Sequence, residues 1–190
     1  MSSSTDPGPF RLLSLYNKQV NEALHDLLSH LDGEISDLAV RPGTTWNGSI
    51  LDLLAHIVFS DIAWMRRLWT HRVADQELVL PAATKFDNPF PSLSSWWEAR
   101  VRADASIVSL VDALTAEELG EKLSYQNLKG ETFSQKRWEC LLHMFNHETH
   151  HRGQVIQVLD EHRVESDLSN LIFYVRERDT SFGNDLRQDS

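Results

Sequence analysis

HMFNHETHHRGQV, residues 143–155, places four histidines within nine positions: His143, His147, His150 and His151. The stretch lies inside a segment, about Gln135 to His162, that reads as one long helix. A merely solvated helix face is usually built from Glu, Lys and Arg, which form helices better than histidine. On a helix, residues four apart share a face about 6 Å apart along the axis. His143/His147 and His147/His151 both meet that spacing, and either pair suits convergence on one ion. His143 and His151 are two steps apart, roughly 12 Å. One helix therefore cannot bring all three to a single metal, and a third ligand must come from elsewhere. His56 is the attractive candidate, mid-helix in an earlier segment at the edge of an apolar face. The isolated His25, His30, His71 and His162 read as solvated surface.

Outward from this stretch the pattern stays helical. From Phe10, Leu12, Tyr16, Val20, Leu24, Leu27 and Leu31 recur at three- and four-residue steps, with Gly33 as a stop. VRPGTTWNGS is a loop, marked by Pro42-Gly43 and Asn47-Gly48. Ser49 with Asp52 opens a second helix, about Ile50 to Val73, whose apolar side carries Leu53, Leu54, Ile57, Val58, Ile62, Met65 and Leu68. Residues 78–93 hold three of the six prolines and read as an irregular crossing. Ser95 with Glu98 reads as the cap of a third helix through Trp97, Val101, Ile107, Val108, Val111 and Leu114. TAEEL caps a short turn, and LSYQNLKGETFS alternates around Lys129-Gly130 as a small hairpin or extended link. A short last helix, SNLIFYVRER, precedes a polar tail. Four long amphipathic helices with little strand signal predict an all-α bundle.

Composition narrows the function. At 190 residues the chain reads as one domain with a real core. A formal charge of −10 without any Lys/Arg-dense block argues against a nucleic-acid partner. The single cysteine, Cys140, cannot form an intrachain disulfide, which fits a cytoplasmic protein, and it reads as a buried small hydrophobe. No apolar run is long enough for a membrane span, and MSSSTDPGPF lacks the features of a signal peptide. The six tryptophans read mostly as core, with Trp46 placed to line a pocket mouth. Arg152 and the Arg176/Arg178 pair read as partners of acidic side chains.

His147-Glu148-Thr149-His150-His151 also matches H-E-x-x-H, in which the glutamate is general base for a zinc-bound water. The longer metzincin form fails at Gln154 and Gln157, while Glu165 and Glu177 remain available as the downstream ligand of the other zincin type. No edge strand is evident to receive a peptide. Glu148 points about 100° away from His147, so it is a weak catalytic candidate and reads better as a surface glutamate or one supporting a ligand.

NHETHHRGQV resembles the most recognisable motif of the DinB/YfiT-like family of helical-bundle metalloproteins. YNKQVNEAL, GSILDLLAHIVFSDIAWMRRLW and DLSNLIFYVRER look like family segments in the same order, covering about Leu12 to Arg178. The resemblance implies a four-helix bundle with a short additional C-terminal helix. The domain would run over 10–178, between a flexible N-terminus (1–9) and a flexible tail (179–190). It implies one divalent ion per chain, held by His56, His147 and His151, with His150 turned away and His143 one turn above. Zinc is the first expectation; nickel, iron, cobalt and manganese suit the same ligands. It further implies a homodimer and, as partners, a small-molecule substrate with a low-molecular-weight thiol. The activity implied is that of a thiol-dependent S-transferase or related hydrolase. Two other classes stand beside it: a zincin-like metallopeptidase, and a non-catalytic helical binding protein with a structural metal.

Overall fold

The computed structural model describes residues 6–69, 88–127, 129–166, 168 and 170–188, with side chains as far as Asp179. Six α-helices and one two-stranded hairpin follow in the order α1 (Gly8–Ser29), α2 (Ile50–Leu68), α3 (Leu93–Asp112), α4 (Ala116–Gly120), β1 (Lys122–Gln126), β2 (Thr132–Lys136), α5 (Arg137–Glu161) and α6 (Leu171–Gln188). The chain is thus mostly helical. The alternating segment around Gly130 is a hairpin, with β1 antiparallel to β2 and Tyr125 opposite Phe133.

The long helices form where the apolar stripes lie. α2 buries Leu53, Leu54, Ile57, Val58, Ile62, Met65 and Leu68, the positions read from its three-and-four spacing. Each such side chain contributes about 2 kcal/mol by leaving water. α2 packs against α5 and α3, and α1 packs against α3 and α5, so the stripes face a shared interior. α5 is the element whose motif decides the site, and its seam with α2 is where that site forms.

Helix starts are set by side-chain caps. Ser49 and Asp52 form a reciprocal box at α2, with Ser49 N and Oγ donating to Asp52 Oδ2 at 2.8 Å. Thr115 and Glu118 do the same at α4. At α3 the sequence reading is corrected. The cap is Ser92, boxed with Ser95 and three residues before the expected Ser95 cap. Pro91 lacks an N–H and Ser92 is extended, so the chain turns helical directly after them. α6 is also longer than the short helix expected, running beyond Arg178 to Gln188. Most of the predicted 78–93 crossing and the last turn read for the second helix, with His71, lie outside the described residues.

Candidate metal centre

Ile57 and Val58 bury one side of α2 while His56 stays half-buried at its edge, facing the seam with α5. On α5, His147 and His151 stand one turn apart and present their rings to the same seam. Ring centroids are 5.1 Å apart for His56–His147, 4.9 Å for His56–His151 and 4.3 Å for His147–His151. One nitrogen from each ring lies within 4.8 Å of the other two. His147 Nε2 and His151 Nε2 are 3.1 Å apart. Two imidazole nitrogens on one tetrahedral zinc would sit about 3.3 Å apart, given Zn–N bonds of about 2.0–2.1 Å. The His147/His151 pair matches that spacing, and the three-imidazole donor set suits a divalent ion.

The electrostatics favour the ligand form. Burial, followed by the neighbouring His151 and His56, pushes the His147 imidazole down to about 3. Burial also lowers His151, although its bond to Gln154 opposes this. Both rings are held neutral at pH 7, as metal ligation requires.

The remaining histidines divide around this cluster. His143 sits one turn above, 6.0 Å from His147 and edge-on to Trp64 at 5.1 Å. His150 is exposed and lies beside His151, outside the triad. His25, expected on solvated surface, is half-buried and stacks on Trp97 at 4.4 Å, because an aromatic face is available one helix away. Trp46 does border the cluster, edge-on to His56 at 5.8 Å and 5.9 Å from His151.

Glu148 is not on the surface. It is fully buried and its Oε2 accepts from Arg152 Nη1 at 3.0 Å. Arg152 also donates to Asn17 on α1. Nearby, Arg100 donates to Asp61 Oδ2 at 2.5 Å and to Asp104 Oδ1 at 2.8 Å, and Asn21 donates to Asp104. Asp61 Oδ1 and Glu148 Oε1 are both buried without a hydrogen-bond partner, and burial raises the pKa of both carboxyls. Burial, then the charge of Asp61, pushes the Glu148 carboxyl well up, which favours its protonated form. The cluster sets Asp61, Asp104 and Glu148 against Arg100 and Arg152. Glu148 is committed to this cluster and does not join the histidines.

A match to the DinB family spans residues 1–176. The chain belongs to the DinB family. A search of curated proteins found no match. In this DinB-family chain the structure brings together His56, His147 and His151, and it leaves His143, His150 and Glu148 out of the triad. Gln154 was missed as a contributor. It lies three residues beyond His151 and accepts from its Nδ1 at 2.7 Å. The available signal was its place one turn along the motif's own helix face. Cys140 is buried, and burial raises its thiol pKa, so it offers no ready thiolate. Among the described residues, no helix is long and apolar enough to cross a membrane.

Proposed function

We propose that this DinB-family chain is a metal-dependent enzyme built on a four-helix bundle of α1, α2, α3 and α5. One divalent ion, zinc by first expectation, is held by His56, His147 and His151, and the co-substrate is a low-molecular-weight thiol. The reaction class is S-transfer or a related hydrolysis. The observation that carries this reading is the convergence of three imidazoles with no thiolate or carboxylate joining the cluster among the described residues. Structural zinc sites are usually closed by four protein ligands, whereas a three-histidine set leaves a position for an exogenous group. An ion bound there supplies Lewis acidity and lowers the pKa of a thiol or water.

The chain's own residues have separable roles in this reading. His56 brings α2 to the ion, and His147 and His151 bring α5. Trp46 on one side and His143 with Trp64 on the other border the approach. The peptidase alternative needs Glu148 as base beside the ion, and its burial against Arg152 and Asp61 weighs against that.

Elemental analysis of protein purified without a histidine tag, followed by a thiol-conjugation screen, tests the proposal. One equivalent of divalent metal is expected, with conjugation that depends on it. In a cobalt-loaded sample, added thiol should shift the ligand-field bands, and His147→Ala should remove both bands and response. Failure to bind any divalent metal would overturn the reading. Metal-dependent peptide cleavage abolished by Glu148→Gln would replace it with the peptidase, and a metal-loaded protein silent in both assays would favour a non-catalytic role.

A further inference from the structure

Trp46 is 57% exposed, yet it is held firmly. It sits in a two-residue loop closed by Thr45 and Gly48, whose backbones exchange hydrogen bonds of 3.0 and 3.2 Å. Asn47 Nδ2 donates to the Asp52 carbonyl at 2.9 Å, and Thr45 Oγ1 donates to the Ser49 carbonyl at 3.0 Å, tying the loop to the start of α2. Gly48 has φ +119°, and a Cβ there would strike the Asp52 carboxylate, so only glycine suits this position. The loop directs Trp46 Nε1 at Gln154 Oε1 on α5, 3.0 Å away.

An indole N–H only donates, so the Gln154 atom that it meets must be the amide oxygen. The same oxygen lies 2.7 Å from His151 Nδ1. An amide oxygen only accepts, so Nδ1 bears the hydrogen and the ring's lone pair is at Nε2. Turning the amide over would set its NH₂ against the indole N–H. The chain of contacts therefore runs in one direction, from α2's leading loop to the nitrogen that faces His147. His147 has no such support: its Nδ1 is buried with no hydrogen-bond partner.

We infer that Gln154, oriented by the Trp46 indole N–H, is a positioning residue that fixes His151 as its Nδ1–H tautomer and so presents Nε2 to the ion. The inference rests on the metal-centre reading above. It assigns work to two residues outside the histidine triad, and it explains why an exposed tryptophan is anchored by a glycine-dependent loop.

The test uses the full chain and four proteins: wild type, Gln154→Ala, Gln154→Glu and Trp46→Phe. Nitrogen-15 shifts of the histidine rings in metal-free protein at neutral pH read the tautomer. Competition with a chromophoric chelator reads zinc affinity. Wild type should show His151 protonated at Nδ1, whereas Gln154→Ala should show mixed tautomers and zinc binding about 10–100-fold weaker. Gln154→Glu keeps an acceptor and should restore both the tautomer and the affinity. Trp46→Phe keeps the ring against His56 and His151 but lacks the N–H, and should weaken zinc about fivefold, one neutral hydrogen bond's worth. An unchanged His151 tautomer in Gln154→Ala, or zinc binding within about twofold of wild type, overturns the inference. Wild-type behaviour of Trp46→Phe in both measurements overturns the indole's part. Because the tautomer is read without metal, a chain that bound no zinc would sink the metal reading separately, and the ring shifts would still judge Gln154.

Discussion

His147 and Glu148 are neighbours on α5, but they belong to regions that solve opposite problems. His147 faces the seam with α2, where three imidazoles converge and its own Nδ1 has no partner. Glu148, about 100° around the helix, faces the interior, where Asp61, Arg100, Asp104 and Arg152 answer one another's charges. The first region leaves His147 Nδ1 without a hydrogen bond. The second spends its charges on itself. Rings held neutral, as His147 and His151 are, suit an incoming ion because each offers a lone pair to it. A cluster of paired buried charges holds helices in register, since moving one member strands another.

That contrast predicts separable consequences. The largest is expected at Arg100. Arg100→Leu leaves Asp61 and Asp104 buried without their cation and should cost about 3–5 kcal/mol in chemical denaturation. A change below about 1 kcal/mol would show that the interior charges are not holding the fold. Next come the histidines. His56→Ala, His147→Ala and His151→Ala should each weaken metal binding by more than about 100-fold, roughly 2.7 kcal/mol, with little change in denaturation midpoint. Full metal retention in His56→Ala would remove that residue from the site and break the comparison.

Acid should act on the histidine region more gently. His147 is held down at about 3, against about 6.5 in an unfolded chain. Below about pH 6.5 the unfolded state therefore binds a proton that the folded state refuses. Stability from this residue is intact above that pH and is lost as pH falls towards 3. Solvent screening limits the loss to about 1 kcal/mol or less. Denaturation of metal-free protein at neutral and mildly acidic pH should show the slope, and His147→Gln should flatten it. A slope unchanged in His147→Gln would assign it to other groups.

Smaller still is Glu148→Gln, which reproduces the shape and neutrality of the protonated acid. It should cost less than about 1 kcal/mol and leave metal bound. A large destabilisation would mean that Glu148 is ionised in the fold. His150→Ala should be near neutral in both metal content and stability, since that ring is exposed and outside the triad.

Much of this was legible beforehand. The α2 stripe, the Ser49 cap and the turn at Gly130 follow from local rules of spacing and capping, and the structure has them. The charged interior was not read, because Asp, Glu and Arg are ordinarily solvated. Its signal was nonetheless present. Asp61 stands midway between Ile57 and Met65 at four-residue steps, and Arg100 falls on the line of Trp96 and Ile107, so both charges occupy stripe positions. Glu148 and Arg152, spaced four apart, sit between buried Met144 and Val155 in the same way. The start of α3 was misplaced because Ser92 and Ser95 are both competent caps, and only the path of the chain after Pro91 chooses between them.

By itself, the sequence determined the helices and the two possible histidine pairs, because a helix fixes which side chains share a face whatever surrounds it. It could not choose between His143/His147 and His147/His151 by spacing, since both pairs are four apart. The tertiary structure decided that. α2 packs on α5 at a height that sets His56 beside His147 and His151, while Trp64 meets His143. The bond from Trp46 to Gln154 likewise joins residues 108 apart in the chain, and no local rule reaches that far. Which lone pair His151 presents depends on that contact, and so on the packing of one helix against another.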